Sequence, residues 1–205
     1  MHLYKSIGFW QFLLVLGFLI LTSVNPHDRF TWFLEISWVA AGLLLILFLS
    51  RKGVFPTSLL AWLITIHAII LVYGGWYTYE KVPFGDWLKE LWGFERNHYD
   101  RIGHFAQGFV PAVLIREVLL RYKVVNGWGW LEFLVFAGCM AFTGIFEIME
   151  FAAAKLFGDA SLAYLGSQGD VWDAQWDMLL CGVGTIASIL LLRRFHIKIM
   201  GSTIR

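Results

Sequence analysis

Charged residues are scarce in this chain. Asp, Glu, Lys and Arg together make up 15% of its 205 residues, whereas 59% are hydrophobic and 18% are aromatic. Soluble domains carry about 25% charged residues, so this composition excludes an ordinary soluble protein and predicts an integral membrane protein. The net charge of +1 gives no reason to expect a nucleic-acid partner. The length favours a single membrane domain over residues 1–205.

Cysteine and the common cofactor motifs are also nearly missing. Cys139 and Cys181 both fall inside apolar runs, so no disulfide framework is indicated, and we expect the two thiols to lie at different depths in the membrane. The sequence has no GxxxxGK[ST], GxGxxG, HExxH or CxxC pattern. The sequence therefore lacks the usual motifs of nucleotide-binding proteins, zinc proteases and thiol redox centres. No cofactor-binding residue is assigned.

Long apolar runs are what the chain has in abundance. A hydrocarbon core of about 30 Å requires roughly 20 apolar residues of helix. The first run is expected to be retained rather than cleaved as a signal peptide, because no small-residue cleavage site precedes Asn25 and Pro26. We therefore predict an all-α, polytopic bundle of six transmembrane helices at residues 7–24, 30–49, 57–78, 102–120, 131–153 and 173–195.

Positive charges are unevenly distributed between the two predicted faces of the membrane. With the N-terminus inside, most Lys and Arg residues fall in the short inner segments, and basic residues favour the cytoplasmic side. Both termini are therefore predicted to be cytoplasmic. Among the acidic residues only Glu117 and Glu132 lie near the inner face. The inner basic residues are Lys5, Arg51, Lys52, Arg116, Arg121, Lys123, Arg193, Arg194, Lys198 and Arg205.

The long outer segment between the third and fourth spans contains an amphipathic pattern. In FGDWLKELWGFERN, Phe84, Trp87, Leu88, Leu91 and Trp92 recur at helical spacing, with polar residues on the opposite side. This pattern predicts a helix lying in the membrane interface. A helix in a soluble loop would have the same pattern, so that alternative stays open.

Ionisable residues from three separate stretches gather at the predicted outer ends of spans four, five and six. Ionisable groups inside a membrane are costly, so their clustering indicates a functional site that faces the bundle interior. In chain order they are Asp100, His104 and Gln107 in NHYDRIGHFAQGF, Glu147 and Glu150 in FEIMEF, and Asp170, Asp173 and Asp177 in GDVWDAQWDM.

Carboxylates this close together need protons or cations to balance their charge. A divalent metal is one solution, and mixed Asp, Glu and His donors suit Zn²⁺, Mn²⁺ or Fe²⁺ better than Mg²⁺ or Ca²⁺. On this hypothesis Glu150 is a general base and Arg101 holds an anionic headgroup. The metal ligands are then Asp100, His104, Glu147, Asp173 and Asp177.

A structural origin of the same pattern stays open. Asp170 is well placed to cap the sixth span, and Asp173 in its first turn complements the helix dipole. Asp100 can form an ion pair with His104 or with Arg101 on its own helix. In that case the polar network stabilises the bundle and binds nothing.

Two further polar residues lie within predicted spans. His67, in the middle of span three, is more typical of a hydrogen-bonded core histidine than of a ligand, although its depth would let it reach the floor of a pocket. Glu35 lies one turn into span two from the outer side. It either joins the polar network or reaches the headgroups.

The three motifs NHYDRIGHF, FEIMEF and GDVWDAQWDM on a six-span scaffold resemble the uncharacterised bacterial inner-membrane protein family typified by YjdF. The resemblance covers nearly the whole chain, and it implies a location in the bacterial cytoplasmic membrane without an established activity. A more distant likeness is to the VanZ-like proteins, which are linked to the cell envelope and imply an envelope ligand. That likeness rests on Asp100, Arg101, His104, Phe105, Glu147, Asp177 and Gly184.

Three functions stay open on these observations. The first is a metal-dependent hydrolase or transferase acting on an envelope lipid. The second is a non-catalytic envelope-binding or assembly protein with a structural polar network. The third is a cation or proton transporter, although the inner halves of spans four to six offer few polar groups. The expected partners are membrane lipid and an envelope lipid or lipid-linked ligand, and the sequence does not give the oligomeric state.

Overall fold

The chain folds into helices. The structure is a computed structural model that describes residues 2–158 and 162–203, and every regular element within those ranges is helical. This confirms the all-α prediction. The helices are α1 (His2–Val24), α2 (Arg29–Arg51), α3 (Ser58–Trp76), α4 (Pro83–Trp92), α5 (Tyr99–Arg121), α6 (Trp128–Phe157), α7 (Leu162–Leu165) and α8 (Asp173–Thr203).

A long helix covers each of the six predicted span positions, namely α1, α2, α3, α5, α6 and α8. Four of them, α2, α3, α6 and α8, are long and apolar enough to cross a membrane. The apolar part of α1 is the shorter segment Gly8–Val24, and α5 carries charged residues near both of its ends. The number of six spans therefore stays a prediction, because it depends on whether α1 and α5 also cross the membrane.

The chain enters two of the spans through side-chain caps. Asp28 Oδ1 accepts the backbone N–H of Thr31 at 2.7 Å at the start of α2, and this hydrogen bond lowers the pKa of Asp28 from its ordinary value. Thr57 Oγ1 accepts the N–H of Leu60 at 3.4 Å at the start of α3. Such caps satisfy backbone donors that have no partner within the helix.

The predicted amphipathic segment forms the short helix α4. Pro83 occupies its first turn, where the missing N–H costs nothing. The helix ends at Trp92 because Gly93 adopts the left-handed conformation, with φ 66° and ψ 33°. Trp87 and Leu91 are 55% and 56% exposed. The apolar face of α4 is thus open, and its position in a membrane interface stays a prediction.

Helices α5, α6 and α8 pack against one another and form the part of the bundle that carries the ionisable residues. Contact between α5 and α8 is unusually close. A Cβ atom on Gly108 would meet the carbonyl oxygen of Cys181, and one on Gly184 would meet the carbonyl oxygen of Phe105. Small residues let membrane helices approach to backbone contact, so these two glycines set the spacing that brings the site residues together.

The two cysteines lie side by side in the middle of this helix group. Both are free and buried, and the Cys181 thiol donates to the carbonyl oxygen of Cys139 at 3.7 Å. The expectation that they lie at different depths is wrong. Because α6 begins at Trp128, before the predicted start of its span, Cys139 lies deeper than the predicted boundary placed it.

Candidate functional site

The first turns of α5 and α8 meet the last turns of α6 at one end of the bundle. We call this the acidic end, after Asp100 on α5, Glu147 on α6 and Asp177 on α8. The i, i+4 spacing of Asp100 and His104 puts both on the α5 face that contacts the other two helices. Helix α5 packs against α6 and α8, and this packing brings Glu147 and Asp177 to the same end of the bundle.

His104 lies at the centre of these carboxylates. Its Nε2 atom is 3.5 Å from Asp100 Oδ1 and 3.9 Å from Asp177 Oδ2. Its Nδ1 atom is 3.8 Å from Glu147 Oε1. One donor atom each from Asp100, His104 and Asp177 lie within 4.8 Å of one another. The structure thus brings four side chains from the three motifs together, a contact that spacing along the chain does not show.

The cluster is buried and incompletely hydrogen-bonded. His104 is 4% and Asp177 is 2% exposed. Within the described part of the chain, His104 Nδ1, Glu147 Oε1 and Asp177 Oδ1 are buried and have no hydrogen-bond partner. Buried polar atoms without partners cost free energy. The cluster thus contains two carboxylate oxygens and one imidazole nitrogen without a partner among the described residues.

A divalent cation fits this donor set. Imidazole nitrogen and carboxylate oxygen are the ligands that Zn²⁺, Mn²⁺ and Fe²⁺ take in proteins. Three donors that already lie within 4.8 Å of one another need only small side-chain movements to share one ion. Asp100, His104 and Asp177 could hold such an ion, with Glu147 beside them.

A cavity of about 70 Å³ opens from this cluster toward α2 and α3. Asp100, His104 and Glu150 line it on one side, and Glu35 and His67 line it on the other. Glu150, the expected general base, therefore faces the cavity and lies outside the three-residue group. Glu35 and His67 face the same cavity. Their positions in the sequence did not decide whether they would reach it.

Asp170 and Asp173, the other two aspartates of the motif, are paired with arginines. Asp173 Oδ1 accepts from Arg96 Nη1 at 2.6 Å, and Asp170 Oδ2 accepts from Arg101 Nη2 at 3.0 Å. Asp170 Oδ1 also accepts the N–H of Trp172 at 2.9 Å at the start of α8. The structure thus brings Asp177 to His104, while Asp173 lies at the rim; its role as a ligand stays a prediction.

Arg101 lies at this rim as well. Its guanidinium is 5.5 Å from the ring centroid of Trp176 and 3.1 Å from His98 Nδ1. Burial lowers the pKa of His98, and the charges of Arg101 and Arg96 lower it further. Arg101 is therefore held in place beside a histidine that favours its neutral form, at the mouth of the acidic cluster.

Arg96 is a residue of the candidate site that the sequence pattern does not indicate. It lies in the segment before α5 and pairs with Asp173, which is 77 positions away along the chain. Ion pairs at that separation leave no periodic signal. Asn97 and Gln168 join the same two segments through two hydrogen bonds of 3.0 Å and 2.8 Å.

A second ionic cluster lies at the other end of the same helices, which we call the basic end. Glu117 on α5 accepts hydrogen bonds from Thr57 Oγ1 at 2.6 Å, Arg121 Nη2 at 2.7 Å and His196 Nε2 at 3.1 Å. Helices α3, α5 and α8 are thus joined at one carboxylate. Glu117 is 2% exposed and His196 is fully buried.

Glu132 on α6 is the other carboxylate of the basic end. It is 3.1 Å from Arg116 Nη2 and 3.3 Å from Arg193 Nε. The Arg193 guanidinium lies 5.0 Å from the ring centroid of Trp128. These contacts tie α5, α6 and α8 together at this end.

Comparisons with known proteins give a family and no reaction. The model of a family described as "Predicted membrane protein (DUF2238)" matches residues 7–198. The inner membrane protein YjdF of Escherichia coli (strain K12) is 42% identical over 181 residues, which cover 88% of this chain and 86% of that protein. No solved structure matches the chain. The likeness to VanZ-like proteins stays a prediction.

Proposed function

Since the chain belongs to the DUF2238 family of predicted membrane proteins, whose description names no reaction, we propose its function from the acidic end: a divalent-metal-dependent hydrolase or transferase acting on an envelope lipid. The observation that carries the proposal is the group of Asp100, His104 and Asp177, whose donor atoms lie within 4.8 Å of one another. Beside this group Glu147 Oε1, and within it Asp177 Oδ1, are buried and have no hydrogen-bond partner in the described part of the chain, so a bound cation would satisfy both.

Each side chain has a distinct role in the proposed reaction. Asp100, His104 and Asp177 would hold the metal, which when bound polarises a phosphoryl or glycosyl oxygen and makes a water nucleophilic near neutral pH. Glu150, 9% exposed in the cavity wall, accepts the proton of the attacking water. Arg101 at the rim attracts an anionic headgroup.

The metal content of the detergent-purified protein tests this proposal. We expect about one Zn, Mn or Fe ion per chain by elemental mass spectrometry. Asp177→Asn should reduce the metal content by about tenfold or more, because it removes a direct ligand. The matched control is Asp170→Asn, an aspartate of the same motif that pairs with Arg101 and should keep the wild-type metal content.

Two outcomes would overturn the hydrolase. One is that no sample, including wild type incubated with divalent ions, contains metal above the control level; the acidic end would then be a binding or structural site. The other is that metal-loaded protein processes no lipid phosphate or lipid-linked sugar in a broad substrate screen. Metal movement into liposomes without turnover would favour a transporter.

The proposal places the acidic end on the extracytoplasmic side of a six-span protein with both termini in the cytoplasm. Six long helices at the predicted positions, the basic residues at the opposite end and the open apolar face of α4 support this arrangement. A transmembrane bundle of this kind would put the cavity within reach of lipid headgroups in the outer leaflet.

Cysteine labelling of intact cells tests the orientation. Glu95→Cys, at an exposed site before α5, should react with a membrane-impermeant maleimide in intact cells. Lys123→Cys, exposed after α5, should react only after the cells are permeabilised. The reverse pattern would place the acidic end in the cytoplasm and remove the envelope lipid as substrate.

A further inference from the structure

The cavity beside the metal group has one wall that the proposed reaction does not use. Glu35 and Trp38 on α2 and His67 on α3 form this wall, opposite Asp100 and His104. Since one water needs roughly 10–15 Å³ of such space, a cavity of about 70 Å³ has room for a group of a few heavy atoms.

Two buried carboxyl groups, Glu35 on this wall and Glu150 facing it, line the cavity without a cationic partner among the described residues. Glu35 is 7% exposed and Glu150 is 9% exposed. Across residues 8–158 and 164–201, neither carboxylate is within ion-pair distance of a Lys, Arg or His side chain. Burying an unpaired carboxylate is costly, so the cavity favours a ligand that brings positive charge.

The position of Glu35 is fixed by the helix behind it. A Cβ atom on Gly75 of α3 would lie 2.9 Å from Glu35 Cβ, so only glycine allows α2 and α3 to approach this closely. His67 Nε2 is buried and has no hydrogen-bond partner in the described part of the chain. It can accept an N–H from a group held by Glu35.

Aromatic rings complete the cavity and argue against a second metal ion. Trp38, Phe142 and Phe146 line it, and the Trp38 ring centroid lies 6.0 Å and 6.1 Å from those of the two phenylalanines. Aromatic rings attract organic cations and offer nothing to a hard metal ion. Among the described residues only Asp100, His104 and Asp177 meet the spacing for a metal.

We propose that this cavity binds a primary ammonium group, carried by a lipid headgroup or by a free amine. Its charge lies against Glu35, its N–H groups reach His67, and its carbon atoms contact Trp38. The inference rests on the proposed function, because it names the substrate class of the same site: an aminated headgroup whose reacting bond lies at the metal group and Glu150.

Calorimetric titration with ethanolamine tests the ammonium site without any turnover. Detergent-purified wild type should bind ethanolamine and should not bind ethylene glycol, which has a hydroxyl in place of the ammonium. Glu35→Gln should weaken ethanolamine binding by about tenfold or more, as expected when a charge-assisted contact is lost. Glu95→Gln, at an exposed glutamate, is the matched control and should bind as wild type does.

The source of the amine is decided in lipid nanodiscs. If a lipid headgroup occupies the cavity, free ethanolamine should bind about tenfold more weakly in phosphatidylethanolamine discs than in phosphatidylglycerol discs. Equal binding in both discs would identify a free amine as the ligand. Both results support the ammonium site.

Two further measurements control for misfolding of the variant and separate this inference from the proposed hydrolase. Glu35→Gln must melt as wild type does; if it does not, Trp38→Leu replaces it and should weaken ethanolamine binding several-fold. Ethanolamine binding that is absent, or equal in wild type and in the folded variants, overturns the ammonium site. Metal content is read separately: metal without ethanolamine binding overturns only this inference, and ethanolamine binding without metal overturns only the hydrolase.

Discussion

At the basic end each carboxylate has two basic side chains as neighbours, whereas at the acidic end one imidazole faces three carboxylates. Glu117 contacts Arg121 and His196, and Glu132 contacts Arg116 and Arg193. The same three helices α5, α6 and α8 carry both ends, so helix packing does not explain the difference. The choice of side chains does.

If the proposed function holds, this difference separates a structural cluster from a ligand-binding one. Opposite charges that alternate between helices hold those helices together and need no ligand. Three carboxyl groups crowd around His104, and two of their oxygen atoms, Glu147 Oε1 and Asp177 Oδ1, have no hydrogen-bond partner in the described part of the chain. The acidic end therefore costs folding free energy in the absence of a ligand, which is typical of binding sites.

The largest effect is expected at the basic end. Glu117→Gln leaves His196 and Arg121 without their carboxylate in a buried setting, and breaking such a pair costs about 3–5 kcal/mol. In a protein of this size that corresponds to a fall in melting temperature of about 10 °C. Circular dichroism of the detergent-purified variant at 222 nm measures it.

The control for this variant is Glu90→Gln on α4. Glu90 is exposed, so its replacement should change the melting temperature by less than about 2 °C. A melting temperature of Glu117→Gln that matches this control would mean that the basic end contributes little to stability, and the contrast between the two ends would disappear.

Helix positions and the residues on one helix face could be predicted from the sequence. The apolar runs predicted where the long helices lie, and i, i+4 spacing placed Asp100 with His104, because both depend on local periodicity alone. The common level of the ionisable residues could be predicted for the same reason, whereas the contact of their three helices could not. These residues occur in three short motifs at the ends of neighbouring apolar runs.

The choice among the three aspartates of GDVWDAQWDM could not be predicted. Which one enters the cluster depends on Arg96, which takes Asp173 into an ion pair from a distant part of the chain. The cavity wall on α2 and α3 likewise depends on how α3 packs against α5 and how α2 packs against α3. Spacing within one helix contains no information about either contact.

The glycine contacts show the same limit. Gly108 and Gly184 look like other glycines in apolar runs, yet a Cβ atom on either would meet a backbone carbonyl of the facing helix, whereas one on Gly144 of α6 would meet nothing within 4 Å. Only the structure tells them apart. Because this close approach of α5 and α8 holds Asp177 against His104, the geometry of the site depends on residues with no side chain.

The smallest effect is expected from Asp177→Asn in metal-free protein. Asp177 Oδ1 has no hydrogen-bond partner in the described part of the chain, and the amide removes one of the three carboxyl groups around His104. We expect the melting temperature to stay within about 3 °C of wild type, or to rise, because lost repulsion offsets the lost attraction to His104. The same buried carboxylate-to-amide change should thus cost about 10 °C at Glu117 and almost nothing at Asp177. A large fall at Asp177 without metal would show that its carboxylate already stabilises the fold, and the acidic end would then be a structural cluster like the basic one.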